Sequence, residues 1–335
     1  MDISYLKTAL LNPQLYPDLP REVKFVETHI SVLFLTGEYV YKIKKPVDFG
    51  FLDFTTLGKR RYFCEQEVIL NRRLAPRLYL GVVGITGDQG RISFENKGEV
   101  VEYAVKMKQV PEELLMDKLL GKNKVTHEMI KAVSEKLVLF YSSAERNERI
   151  ETFGRPERIK QDTDENFEQT ERYIGVTISR NVYDEVKSRT NDFFRKKEKI
   201  FYERIDSGRI RDCHGDLRLE HIFWGDEIAI FDCIEFNQRF RYTDVAADIA
   251  FLAMDFDFRG SEELSEHLIR SYIEKSGDGK VMGVLDFYKC YRSYVRGKVE
   301  SFRLDDPHIP EQEKKEACRR AQKYFDLASS YSKKF

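Results

Sequence analysis

The stretch His214-Gly215-Asp216-Leu217-Arg218-Leu219-Glu220-His221 constrains this chain more than any other. It puts a carboxylate on a short Gly-containing loop and follows it closely with a guanidinium and then an imidazole. Ile228-Ala229-Ile230-Phe231 reads next as an apolar strand, and it ends in Asp232. A chain built this way must fold so that a loop and a strand end each present an acidic side chain. A cation and a second ligand atom follow close behind in sequence.

Composition narrows the classes open to such a chain. A length of 335 residues suits one large domain or two unequal ones. Lys plus Arg (56) nearly balances Asp plus Glu (57), for a net charge of −1. That balance gives no electrostatic reason to expect nucleic acid or an anionic membrane surface as partner. The five cysteines, Cys64, Cys213, Cys233, Cys290 and Cys318, are odd in number and include no Cys-x-x-Cys pair. Free thiols in a reducing compartment, the cytoplasm, are expected, with no disulfide frame and no zinc site. No basic segment followed by a long apolar run opens the sequence, and no uncharged apolar stretch of about 18 residues occurs. Neither a signal peptide nor a membrane span is expected.

The spacing of apolar residues divides the chain in two. Residues 5–12 read as a short helix stopped by Pro13 and Pro17. Period-two patterning then predicts strands at 24–26, 31–35 and 39–44, with Thr36-Gly37-Glu38 as a tight turn. A helix is predicted over 58–74 from Tyr62, Val68, Ile69 and Leu74. Two more strands follow near 78–86 and 99–107, joined by Gly87-Asp88-Gln89-Gly90. From Pro111 onward helices are predicted at 112–120, 126–146, 163–179, 182–206, 261–275, 280–303 and 311–332, with a hairpin at 210–232 among them. No repeat or low-complexity tract is present.

Phosphoryl transfer from a nucleotide to a hydroxyl needs the inventory gathered at 214–232. One carboxylate orients the acceptor, other ligands hold a divalent metal, and a positive charge meets the phosphate. The spacing parallels the protein-kinase loop H-R-D-L-K-P-E-N. With Gly second it resembles the H-G-D form of aminoglycoside phosphotransferases and related small-molecule kinases. The fuller H-G-D-L-R-x-E-H form resembles that of an uncharacterised bacterial branch of phosphotransferase-like proteins. The resemblance implies an α+β, two-lobe, protein-kinase-like fold. Residues 1–108 would form a nucleotide-binding lobe with an antiparallel sheet and a helix. Residues 109–335 would form a mainly helical catalytic and acceptor-binding lobe.

It also implies roles. Asp216 would orient the acceptor hydroxyl, with His214 propping the loop, and Arg218 would steady the transferred phosphate. Asp232 would bind the metal that bridges the nucleotide phosphates. His221 stands where the family has Asn. Either it is a metal ligand, or Glu220 has taken over, or the second metal is missing; imidazole suits manganese better than magnesium. Lys42 and Lys44 share one face of a strand, and Lys42 is the first choice for the donor phosphates. Glu67 is its expected partner, because Glu67 to Leu74-Ala75-Pro76 matches the family's E-x6-L-A-P run; Glu65 is the second choice. No Gly-rich loop and no G-x-x-x-x-G-K-[ST] motif occurs, so Thr28, Ser31 and backbone amides would cover the phosphates. Backbone at 101–107, including Glu102 and Ala104, is the expected adenine-binding hinge. Asp248 is expected to brace the catalytic loop and Asp244 to cap a helix. Asp48-Phe49-Gly50 spells D-F-G but precedes the loop and is set aside. The implied cofactors are ATP, with GTP as the alternative, and magnesium, with manganese as the alternative. The implied partner is a small-molecule acceptor. A degenerate kinase-like nucleotide-binding sensor or scaffold without phosphotransfer is the competing expectation.

Overall fold

A computed structural model of the chain describes residues 3–88, 91–94 and 98–335. The chain divides into two compact units. The first is Met1–Lys124 with Glu220–Gln238, and the second is Val125–Leu219 with Arg239–Phe335.

The first unit is built on an antiparallel sheet. Its strands are β1 (Lys24–Glu27), β2 (Ser31–Leu35), β3 (Tyr39–Lys44), β4 (Tyr79–Asp88), β5 (Arg91–Ser93) and β6 (Glu99–Lys108), in the order β1-β2-β3-β6-β4-β5. Successive side chains of a strand point to opposite faces, and β3 shows the consequence. Tyr41 and Ile43 pack with Val32, Phe34 and Ala104 against Leu6 of the first helix, α1 (Ile3–Ala9), and Leu10 just after it. Val40 packs on the other face with Val105, Cys64 and Val68, the last two from α2 (Leu57–Asn71). Lys42 and Lys44 have the parity of Val40, so they share the α2 face. Of the expected turn at 87–90, Gly87 and Asp88 close β4, while Gln89 and Gly90 lie outside the described residues.

The expected hairpin at 210–232 is two separate pairings. In the second unit, Ile210–Asp212 pairs with Tyr242–Asp244. In the first unit, Ile222–Trp224 pairs with Ile228–Ile230. The loop between these pairings is therefore tied into each unit by different hydrogen bonds. The first unit also runs past residue 108 to Lys124 and takes back Glu220–Gln238. Relative to the expected 1–108 and 109–335 division, His221 and Asp232 join the unit that holds the sheet.

The second unit is mainly helical. The helix expected at 163–179 is instead Pro156–Thr170. Proline suits the first helical position, where its missing N–H is not needed, so Pro156 sets an earlier start. The chain ends that helix by Thr170, and Gly175 takes a left-handed φ of 86°. The helix Val245–Phe258 is buried on nearly every side, as expected for a stretch apolar all round. No helix among the described residues is long and apolar enough to cross a membrane. All five cysteines are free thiols.

Candidate active site

α2 starts where Thr56 caps it, accepting a hydrogen bond from Lys59 N at 3.2 Å. Its inward stripe is Arg60, Cys64, Glu67 and Asn71, at the helical spacing that keeps one face. This stripe is largely polar, and each charged or amide member has a partner. Arg60 donates from Nε to both Glu102 oxygens, at 3.0 and 2.9 Å. Asn71 Oδ1 accepts from Cys233 N at 2.8 Å. Glu67, fully buried, meets Lys42 Nζ through Oε1 at 2.8 Å and Lys44 Nζ through Oε2 at 2.7 Å. The expected Lys42–Glu67 pair is thus formed. Lys44, the second choice, shares the same carboxylate.

Lys42 Nζ also donates to Asp232 Oδ1 at 2.8 Å. Asp232 follows the strand Ile228–Ile230 and has φ 61°, in the left-handed region. Asp tolerates that region better than most side chains, yet it still costs on the order of 1–3 kcal/mol. Two hydrogen bonds hold the backbone there: Asp232 N to Tyr79 Oη at 3.2 Å and Cys233 N to Asn71. Lys44 pairs in addition with the buried Glu235 carboxylate and lies 4.9 Å from the centre of the Phe54 ring.

The charges act on one another. Burial pulls the Lys42 ammonium down, but Asp232 and Glu67 outweigh it and hold the group well above its ordinary value. Burial pushes the Glu67 carboxyl up, and the two lysines outweigh it, so Glu67 sits below the usual carboxylate range. For Glu235 burial prevails over Lys44, and its carboxyl is raised. Burial also pushes the Cys64 thiol up to about 12, which leaves it inert at neutral pH.

His221 sits at the base of the hairpin, where Phe231 N donates to His221 O at 3.0 Å. Its Nε2 lies 3.6 Å from Asp232 Oδ2 and 3.7 Å from Glu220 Oε1. Metal–ligand bonds of about 2.1 Å let one ion span Asp232 and His221. Among the described residues no group of three or more His, Cys, Asp or Glu side chains can hold a metal.

The second unit holds the loop. Asp248 accepts from His214 N at 2.7 Å and Gly215 N at 2.9 Å, and Asp255 accepts from Leu219 N at 3.0 Å. Asp248 and Asp255 are two turns apart on one helix, so a single helix face clamps both ends of the loop. Asp244 caps that helix by accepting from Ala246 N at 2.9 Å. Between the clamps, Arg218 forks onto Asp216, Nε to Oδ1 at 2.9 Å and Nη2 to Oδ2 at 2.8 Å. A parallel two-bond fork of this kind fixes the carboxylate plane.

Three expected nucleotide contacts are placed elsewhere. Thr28 closes the β1–β2 turn: its Oγ1 accepts from Ser31 N at 3.0 Å and donates to Ser31 O at 3.2 Å. Glu102 and Ala104 lie within β6, an inner strand flanked by β3 and β4. Ala104 pairs with Ile43 on one side and Val83 on the other, so the sheet ladder takes its backbone groups. The Glu102 carboxylate is taken by Arg60. These residues are strand core rather than hinge, and the segment that leaves β6 begins only after Lys108. Lys44, Glu235 and Tyr79 join the cluster although the sequence placed none of them first. Lys44 has a sequence signal in its shared parity with Lys42 and Glu235 in its place three residues after Asp232, whereas Tyr79 has none.

The two-lobe, kinase-like α+β fold so described has solved counterparts. A choline/ethanolamine kinase family protein from Mesorhizobium loti superposes with a TM-score of 0.53 at 12% identity, covering 99% of this chain and 100% of the other. A candidate aminoglycoside phosphotransferase from Ralstonia eutropha gives 0.53 at 12%, covering 99% and 98%. An amicoumacin kinase solved with AMP-PNP and Ca²⁺ gives 0.53 at 13%, covering 97% and 94%. The chain has the aminoglycoside-phosphotransferase-like fold. In sequence it is 32% identical over 306 residues to uncharacterised proteins of Mycobacterium tuberculosis and Mycobacterium bovis. The match covers 91% of this chain but only 59% of those relatives. No protein-family model matches the chain.

Proposed function

We propose that the chain transfers the γ-phosphoryl group of ATP to a hydroxyl of a small molecule. The observation that carries this reading is Lys42, held between Glu67 and Asp232 at 2.8 Å each. A lysine fixed by a helix glutamate and set against a strand-end aspartate is the arrangement that grips donor phosphates in kinases. Lys42 exchanges Asp232 for phosphate oxygens when the nucleotide arrives. Asp232 and His221 would hold a divalent ion, which would neutralise charge on the phosphates. Asp216 orients the acceptor hydroxyl and takes its proton, and Arg218 fixes the Asp216 carboxylate and meets the transferred group. The likeness of fold to small-molecule kinases supports a small acceptor. Five free thiols fit a reducing, cytoplasmic setting.

Calorimetric titration with AMP-PNP and Mg²⁺ or Mn²⁺, followed by an ADP-release screen over hydroxylated metabolites, tests the reading. Absence of metal-dependent nucleotide binding would overturn it. A nucleotide-binding protein without transfer is the second reading, favoured by the occupation of both Asp216 oxygens by Arg218. Metal-dependent binding with no ADP release from any acceptor would select it.

The imidazole at 221 makes a further prediction. His221→Asn replaces a nitrogen donor with an amide oxygen, the harder ligand that magnesium prefers. The ratio of Mn²⁺- to Mg²⁺-supported activity is expected to fall about tenfold, within the range seen when metal-site residues are changed. An unchanged ratio would show that His221 is not a ligand.

A further inference from the structure

Four ion pairs of the first unit form a chain that begins and ends on one short segment. Asp232 pairs with Lys42, Lys42 with Glu67, Glu67 with Lys44, and Lys44 with Glu235. Signs alternate along it. Its two ends differ in exposure. The Asp232 side chain is 44% exposed and that of Lys42 12%, whereas Lys44, Glu67 and Glu235 are at 1%, 0% and 6%. One end is wet and the other is dry.

We propose that Lys44 and Glu235 are positioning residues, a dry ion pair that fixes Glu67 and the 232–235 segment so that Lys42 and Asp232 present a set spacing to nucleotide phosphates and their cation. The inference rests on the nucleotide reading of Lys42 and Asp232 given above. Three observations carry it. Each lysine takes its own Glu67 oxygen, so Lys44 keeps Glu67 in place while Lys42 changes partner. Asp232 holds a left-handed backbone that needs support, and Glu235 anchors the same segment three residues on. A buried ion pair adds little net stability, because desolvation offsets the attraction. Geometry explains its presence better than stability does.

The test replaces the dry pair with apolar side chains of similar size, Lys44→Met with Glu235→Leu. Such a swap leaves no unpaired charge on either residue. The Kd for AMP-PNP with Mn²⁺ is measured by calorimetry in the wild-type and Lys42→Met backgrounds, beside the melting temperature. The expected result is a tenfold or greater weakening in the wild-type background and less than threefold in Lys42→Met, with the protein still folded. The dry pair then acts through Lys42, as a coupling between neighbours requires. A lowered melting temperature with Kd unchanged in both backgrounds would show a merely structural pair and overturn the inference. Equal weakening in both backgrounds would overturn it too. Failure of the wild-type protein to bind AMP-PNP would instead remove the nucleotide reading itself. Should the double variant not fold, Glu235→Gln, which keeps size and an acceptor for Lys44, carries the same comparison.

Discussion

Asp216→Asn is expected to lower ADP release by about 10²–10⁴-fold, the range that a lost general base commands. The Kd for AMP-PNP should stay within about twofold, because the change removes an interaction made during transfer and not in binding. The loop around Asp216 should survive the substitution. Its backbone is held by Asp248 through His214 N and Gly215 N and by Asp255 through Leu219 N, none of which touches the altered side chain. Asparagine keeps one oxygen for Arg218 but turns an N–H toward the second guanidinium donor, so the fork is halved. The measurement is steady-state ADP release with the best acceptor from the metabolite screen. A kcat within about threefold of wild type, far short of a lost general base, would remove Asp216 from the reaction.

The loop of Asp216 and the strand that ends in Asp232 were legible because their residues are local in sequence. Asp216, Arg218 and His221 lie within one short stretch, and four apolar residues announce Asp232. Strands β2 and β3 were legible through their alternation, and Asp248 through its place after Asp232. Other features were hidden for physical reasons. The apolar residues used to predict α2 include Tyr62 and Ile69, which are 52% and 59% exposed. Val68 and Leu74 are buried, but Arg60, Glu67 and Asn71 are buried as well, and hydrophobic periodicity does not announce polar residues on an inward face. The Lys44–Glu235 pair joins positions far apart in the chain, and no spacing rule links them. Alternation alone does not distinguish an inner strand from an edge strand or a hinge at 101–107. Only the pairing of β6 with both β3 and β4 decides that. Thr28 fits a phosphate contact and a turn closure equally well in sequence, and the structure shows its hydrogen bonds with Ser31 closing the turn.

Arg204→Ala is expected to destabilise the second unit by about 3–5 kcal/mol, the cost of removing one partner from a buried charge cluster. Arg204 lies in the last turn of the helix Arg180–Asp206 and is 1% exposed. Its Nε and Nη2 donate to Asp244 at 2.8 and 2.6 Å, and Nη1 donates to Asp278 at 2.6 Å. Tyr272 Oη also donates to Asp278, at 2.9 Å. Alanine would leave two buried carboxylates without their common countercharge, which is worse than losing the contacts alone. For a domain near this size each kcal/mol moves the melting temperature by roughly 2–4 °C, so a fall on the order of 10 °C is expected. The damage should not stop at stability. Asp244 caps the helix Val245–Phe258, and that helix carries Asp248 and Asp255, which clamp the loop of Asp216. Loosening the cap should therefore raise amide hydrogen exchange at His214, Gly215 and Leu219 under native conditions. Adding Asp244→Asn and Asp278→Asn to Arg204→Ala removes the stranded charges, and it should recover part of the lost stability, because asparagine keeps the side-chain oxygen that caps the helix. Thermal unfolding and exchange measured on the same variants separate the two effects. A melting temperature within about 2 °C of wild type, the shift of less than one kcal/mol, would show that the cluster is not the anchor of the catalytic loop.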